Sequence, residues 1–144
     1  MADEALDRLA QIVAQEKQDD ELWLAICPDT WEVSQDAQIA FDKTGKVFRA
    51  NRKARLMLGY SSRQLRGKTV EELIPSRFRT AHEAHRKGYV KDPVPRFMGE
   101  DLALWLLTAD SDEIPVEISL SPLESDRGLF INTVIRKKRD AEPR

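Results

Sequence analysis

The apolar residues at the start of the chain recur at helical spacing, as one face of a helix would require. They are Leu6, Leu9, Ile12 and Val13. Asp3 stands just before them and is a residue type that caps helices well. The stripe fades over residues 17–20, and a second apolar run ends before Pro28. We therefore predict a helical extension over residues 3–27, broken or kinked near residues 17–20.

The next stretch predicts a hairpin followed by short helices. Residues 38–42 and 46–50 look like two short strands, and a Lys-Thr-Gly turn separates them. Asn51 is placed to cap a helix that Gly59 ends. Two more helical turns begin with capping-box pairs, which are Ser61 with Gln64 and Thr69 with Glu72.

A longer helix is expected over residues 76–91, since its less polar side chains share one helical face. Those side chains are Phe78, Ala81, His82, His85 and Tyr89. Three strand-like segments follow, at residues 98–108, 114–122 and 128–136. The order predicts an α+β fold, with one antiparallel sheet covered by helices on one face. A small-molecule pocket would form between the helices and the sheet.

Composition and charge narrow the class of protein. The chain has 144 residues, of which 41% are hydrophobic and 33% charged, as expected for one globular domain. A net charge of −2 argues against bulk attraction to nucleic acid, although the chain begins acidic and ends basic. The longest apolar run, residues 22–27, is too short to span a membrane. An acidic N-terminus and a single cysteine, Cys27, suit a cytoplasmic protein without disulfides.

The order of these pieces resembles a known family. Residues 36–75 read DAQIAFDKTGKVFRANRKARLMLGYSSRQLRGKTVEELIP, which resembles the first half of a PAS domain. Residues 112–140, DEIPVEISLSPLESDRGLFINTVIRKKRD, resemble the second half. The resemblance implies a five-stranded antiparallel sheet with helices on one face over residues 33–139. Residues 1–32 then form an N-terminal helical extension, and residues 140–144 form a basic C-terminal tail.

The resemblance also implies a function in signalling. PAS domains commonly sense a ligand, cofactor, light or redox state, and they commonly dimerise through an N-terminal helix. We expect a sensory module that acts on an output domain or a partner protein, because motifs of known enzymes are missing. A domain kept only for protein interaction is the competing hypothesis. Inward positions predict a pocket of Phe41, Phe48, Leu56, Phe78, His82, Leu104 and Ile118. A homodimer would use Leu6, Leu9, Val13 and Trp23.

Cofactor chemistry rests on a single histidine. The light-oxygen-voltage subgroup needs a cysteine before the long helix, and none stands there, so flavin photochemistry is not expected. In rhizobial oxygen-sensing kinases a histidine on that helix binds haem iron, and His82 matches it in spacing to Gly99. Leu102 replaces the arginine expected near bound oxygen, and Gly88 replaces the one expected at a propionate, where Arg96 or Arg86 would have to serve. The alternative is a hydrogen-bonded packing role for His82.

Overall fold

The computed structural model describes residues 2–26, 29–98 and 104–138, in two compact units, Met1–Thr30 and Trp31–Arg144. The first unit is built on one continuous helix, α1, Ala2–Ile26. The predicted break near residues 17–20 is wrong, because Lys17 and Gln18 are good helix formers and the segment contains neither glycine nor proline. The Gln15 side chain also donates to the Asp19 carboxylate one turn later, at 2.9 Å. Within the described residues, no helix is both long and apolar enough to cross a membrane.

The second unit contains one antiparallel sheet. Its strands are β1 (Ala37–Asp42), β2 (Val47–Ala50), β3 (Arg96–Met98), β4 (Leu104–Leu107), β5 (Glu113–Ser125) and β6 (Gly128–Lys137). The order is β2-β1-β6-β5-β3, and β4 also pairs with β5. Both β3 and β4 lie along the same edge of β5, so six strands occupy the five predicted positions. The single strand expected over residues 98–108 is therefore two strands, with residues 99–103, including Gly99 and Leu102, outside the described residues.

The helices of this unit join β2 to β3. They are α2 (Arg52–Leu58), α3 (Ser62–Leu65) and α4 (Arg79–Lys91), with short 3-10 turns at Val70–Leu73 and Ser76–Phe78. A further 3-10 turn, Asp29–Trp31, precedes β1. The predicted caps are confirmed. Asn51 caps α2, and Gly59 ends it with φ 79°, a backbone conformation that favours glycine. Both capping boxes form. The Ser61 amide donates to the Gln64 side chain and the Thr69 amide donates to the Glu72 carboxylate, each at 2.8 Å.

The core lies between one face of the sheet and α2, α3 and the Val70–Leu73 turn. Its fully buried side chains are Leu58, Leu65, Leu73, Ile131 and Val116, with Asn51 among them. The predicted apolar face of α4 is wrong, because α4 has no buried residue. Phe78 at its start is 36% exposed, and Ala81 and His85 are also exposed. This helix is held chiefly by polar contacts, which the periodicity of its less polar residues does not reveal.

Candidate functional site

The helix-facing surface of the sheet is the part of the fold where a ligand would lie. Side chains alternate along each strand, and the register aligns them in rows across the sheet. One such row runs through Ala50, Ile39, Thr133, Leu120 and Arg96. The row is apolar at its centre except at Thr133, and it ends in a cation at the β3 edge.

Three of the residues predicted to line a pocket lie on this surface. Phe41 is buried within the core cluster, and Leu104 and Ile118 are half-buried and pack against it. Their positions agree with the inward alternation of β1, β4 and β5. The sequence pattern therefore located the correct face of these strands.

The remaining apolar residues of the predicted pocket lie elsewhere. Leu56 is 70% exposed on the outer side of α2, because Ala54 and Leu58 occupy the buried side of that short helix. Phe48 follows Val47 in β2 and points to the opposite face of the sheet. There its ring lies 4.7 Å from that of Phe130. Leu56 therefore does not line a pocket between helices and sheet, and Phe48 borders only the small cavity beside β2 and α3.

Side chains fill the space beside β2 closely. A cavity of about 10 Å³ lies among residues of β2 and α3, including Val47, Ala50 and Leu65. Such a volume holds about one water molecule. A larger ligand between the helices and the sheet would therefore require a helix to move.

His82 belongs to a polar cluster that joins α4 to the Val70–Leu73 turn. Its Nδ1 atom lies 2.6 Å from the Glu71 carboxylate, which also accepts from the Arg86 guanidinium at 3.1 to 3.2 Å. The side chains of Glu71 and Arg86 are 11% and 8% exposed, respectively. Arg86 further donates to the Lys43 carbonyl in the β1–β2 turn, at 3.3 Å. Three segments of the unit, which are α4, the Val70–Leu73 turn and the β1–β2 turn, are connected through these contacts.

This arrangement does not fit a haem site. The contact with Glu71 occupies only Nδ1 of His82 and leaves Nε2 for a metal, but 37% of the side chain is exposed, whereas a haem ligand lies in an enclosed pocket. Arg86, one candidate for a propionate, is also occupied by Glu71. A porphyrin would need a large apolar slot beside α4, whereas the side-chain contact described for His82 is with a carboxylate. Among the residues that the structure describes, no cluster of three His, Cys, Asp or Glu side chains could hold a metal ion either.

Asn51 connects the segment before β1 to the start of α2. Its Oδ1 accepts from the amides of Ala54 and Gln38 at 3.0 and 2.9 Å. Its Nδ2 donates to the carbonyls of Trp31 and Asp36 at 3.0 and 2.9 Å. Sequence analysis identified only the helix cap, because the other three partners are distant along the chain.

The two ends of the second unit lie side by side. Ala37 at the start of β1 pairs with Ile135 near the end of β6. Just outside this pair, the Arg136 guanidinium contacts both carboxylate oxygens of Asp36 at 3.1 and 3.2 Å. The hydrogen bond from Arg136 to Asp36 holds the pKa of the guanidinium above its usual value. The chain therefore begins and leaves the sheet on adjacent central strands.

Thr133 is a candidate site residue that sequence analysis missed. It lies in β6 between Ile131 and Ile135, and is 6% exposed. Its hydroxyl has no hydrogen-bond partner among the described residues. At the nearby edge, burial raises the pKa of Tyr89 on α4, and the charge of Arg96 partly offsets this effect. A Thr in a β-strand is ordinary, so no sequence signal marked it.

Solved structures share this architecture. A PAS domain from Colwellia psychrerythraea has a TM-score of 0.65 and 16% identity, covering 76% of this chain and 91% of its own. The PAS domain of nitrogen regulation protein NR(II) from Vibrio parahaemolyticus has a TM-score of 0.60 and 17% identity, over 76% and 94%. The PAS domain of the RpfR quorum-sensing receptor from Cronobacter turicensis has 0.57 and 13%, over 74% and 96%.

Sequence comparison places the chain in a family. No curated protein matches the chain significantly. A sequence profile described as the PAS fold matches residues 31–136, which is most of the chain. The strand order and the helices between β2 and β3 agree with the structural similarity described above. The chain therefore belongs to the PAS-fold family, whose domains are generally sensory modules rather than enzymes.

Proposed function

We propose that this chain is a cytoplasmic sensory module that binds a small molecule and transmits the event through the two ends of its PAS unit. One observation carries the proposal, which is that the first and last strands of the unit are neighbours at the centre of the sheet. A shift of β6 changes its register contacts with β1, and both strands lead directly to the flanking segments. An output domain or a partner protein would read that shift, as in two-component regulation.

Two further observations support a ligand as the input. The helix-facing side of β6 carries Thr133, three residues before Arg136, so contact with a ligand and the end of the strand are close along the chain. In addition, the RpfR PAS domain was solved in complex with BDSF. That structure supports a small-molecule input for a domain of this fold.

Native mass spectrometry of the chain purified from cells tests the first half of the proposal, since a bound molecule adds its mass. Hydrogen exchange measured before and after the molecule is removed tests the second half. We expect slower exchange in residues 37–42 and 130–137 with the molecule bound, because the β1–β6 ladder is then more rigid. A bound molecule that leaves exchange in both strands unchanged contradicts the relay.

A module that works only through protein contacts is the second candidate. It is favoured by the exposed apolar stripe on α1, where Leu6, Leu9 and Val13 are 64%, 50% and 49% exposed. Trp23, the fourth residue predicted at a dimer interface, lies near the end of the same helix but is only 3% exposed, so it is not part of the exposed stripe. We propose that the stripe pairs with a second copy of the chain, because burial of each such side chain is favourable by about 2 kcal/mol.

Sedimentation of the full chain tests the homodimer. Replacing Leu6, Leu9 and Val13 with Gln removes the stripe but keeps good helix formers. We expect a dimeric wild type and a monomeric variant, whereas Glu4→Gln, at an exposed position on the other side of α1, should leave the dimer intact. A monomeric wild type, or a variant that is still dimeric, excludes this interface.

A separate experiment tests haem binding through His82, which the described contacts around that side chain do not favour. Haem is added to the purified chain, and the Soret absorbance is compared between wild type and His82→Ala. Because the side chains that meet beside His82 are the charged Glu71 and Arg86, and a porphyrin needs an apolar slot, we expect no Soret shift that depends on His82. A shifted Soret band in wild type that is lost in the variant would restore His82 as an iron ligand.

A further inference from the structure

The hydroxyl of Thr133 is buried where its chemistry has no use in the folded chain alone. Thr133 lies between Ile131 and Ile135 on β6 and opposite Ile39 and Leu120 on the neighbouring strands. All four of these side chains belong to the apolar core or pack against it. The side chain of Thr133 therefore points into the space between the sheet and the helices.

Burial without a partner separates Thr133 from the other buried polar groups of this unit. Asn51 makes four side-chain hydrogen bonds, and Glu71 contacts both His82 and Arg86. The Thr133 hydroxyl makes none with the described residues. An unsatisfied buried hydroxyl lowers stability, and none of the described residues satisfies this one, so a bound molecule that accepts its hydrogen bond would be stabilising.

A cation lies on the same surface at the edge of the sheet. Arg96 pairs with Leu120, which pairs in turn with Thr133, so the three share one row. Adjacent strands are about 4.8 Å apart, which places the Cα atoms of Arg96 and Thr133 about 10 Å from each other. Between them, Leu120 and the neighbouring Ile118 are only half-buried. From the centre of the sheet to its edge, the row therefore presents a hydroxyl, an apolar surface and a positive charge.

The Tyr89 end of α4 lies near the Arg96 end of this row. Tyr89 packs against the core cluster, and it is close enough to Arg96 for the cation to offset part of the rise that burial causes in the pKa of the phenol. No residue of α4 is itself buried, and the contacts of His82 and Arg86 with Glu71 lie nearer the middle of the helix. Outward movement of the Tyr89 end would remove its packing and leave in place the buried residues of α2, α3 and the Val70–Leu73 turn.

We propose that Thr133 and Arg96 bind the two ends of a small carboxylate whose apolar body carries a second oxygen. The Thr133 hydroxyl donates to the second oxygen, Leu120 and Ile118 contact the hydrocarbon, and Arg96 pairs with the carboxylate at the edge. This inference deepens the proposed function by naming the class of molecule sensed, and it rests on that function only for the consequence of binding.

The first test needs no ligand. Thr133→Val removes the hydroxyl and keeps the shape of the side chain. Because an unsatisfied buried hydroxyl is lost, we expect Tm to rise by about 3 °C. Thr133→Ser, which keeps the hydroxyl, should not show this rise. A fall in Tm for Thr133→Val would mean that the hydroxyl has a partner in the folded chain, and would overturn the proposal.

The second test uses omega-hydroxyoctanoate as the probe, titrated into the full chain and followed by NMR. We expect binding to weaken about tenfold in Thr133→Val and in Arg96→Gln, with Thr133→Ser close to wild type. Octanoate, which lacks the hydroxyl, should bind wild type and Thr133→Val equally. Octanediol, which lacks the carboxylate, should likewise not distinguish Arg96→Gln from wild type.

The outcomes separate this inference from the proposed function. If the Thr133 and Arg96 variants bind the probe as wild type does, or if wild type does not bind it, the inference fails. A different bound molecule that slows exchange in β1 and β6 would then still support the relay. If the variants bind the probe more weakly than wild type does, but the probe does not change hydrogen exchange in β1 and β6, the binding site is supported and the relay is contradicted.

Discussion

Asn51→Ala should destabilise this protein more than the loss of a helix cap explains. The Asn51 side chain is fully buried and makes four hydrogen bonds. Removing a helix cap alone costs about 0.5 to 2 kcal/mol. The substitution also leaves the Gln38 amide and the carbonyls of Trp31 and Asp36 without that partner, at about 1 kcal/mol or more each. We therefore expect a loss of about 3 to 5 kcal/mol.

Urea denaturation followed by tryptophan fluorescence measures the free energy of unfolding. Ser61→Ala is the matched control, since Ser61 caps α3 at an exposed site and accepts only from the Gln64 amide. It should cost about 1 kcal/mol. Asn51→Asp keeps the acceptor oxygen but points a carboxylate at two carbonyls, so it should be at least as harmful as Asn51→Ala. If Asn51→Ala costs no more than Ser61→Ala, the reasoning from buried hydrogen bonds is wrong.

Three further substitutions test two turns and one surface ion pair of the unit. Gly45 has φ 89°, and a Cβ there would lie 2.6 Å from Nε of Arg86, whereas Gly67 has φ 84° with nothing within 4 Å. Gly67→Ala should cost about 1 to 3 kcal/mol from backbone strain alone, and Gly45→Ala more, in the same urea assay; equal losses would mean that Arg86 moves away freely. The hydrogen bonds from Arg77 lower the pKa of Glu113. A carboxyl group whose pKa is lower in the folded than in the unfolded state stabilises the fold at pH values above its unfolded-state pKa. This stabilisation is lost as the pH falls through the folded-state pKa. Glu113→Gln should therefore reduce the fall in the free energy of unfolding at acid pH. If the dependence of that free energy on pH is unchanged in the variant, the ion pair of Arg77 with Glu113 does not stabilise the fold.

Local features of this fold could be predicted from the sequence because their partners are close along the chain. Asn51 and Gly59 bound α2, and both capping boxes join residues three apart. The hairpin and the inward face of β5 follow from turn chemistry and from alternation with period two. Each of these choices is made within one turn or one strand, before distant contacts form.

Longer segments were misjudged where tertiary contacts compete with a weak pattern. The less polar face of α4 contains two histidines and an alanine, so periodicity alone could not show that charged contacts with Glu71 hold the helix. The expected strand over residues 98–108 became two short strands, because both pair with different parts of the long β5. Leu56 fits an apolar pattern, yet a seven-residue helix has room for only one buried side.

The sequence by itself determined the family, the order of the elements and their caps, because these depend on local hydrogen bonds and on periodic burial. Only the tertiary structure decided which side chains meet. Asn51 reaches back 20 residues to Trp31, Arg86 reaches 43 residues to Lys43, and Asp36 meets Arg136 across 100 residues. The environment of Thr133 is also decided by tertiary structure, because only the packing of neighbouring strands leaves its hydroxyl without a hydrogen-bond partner among the described residues.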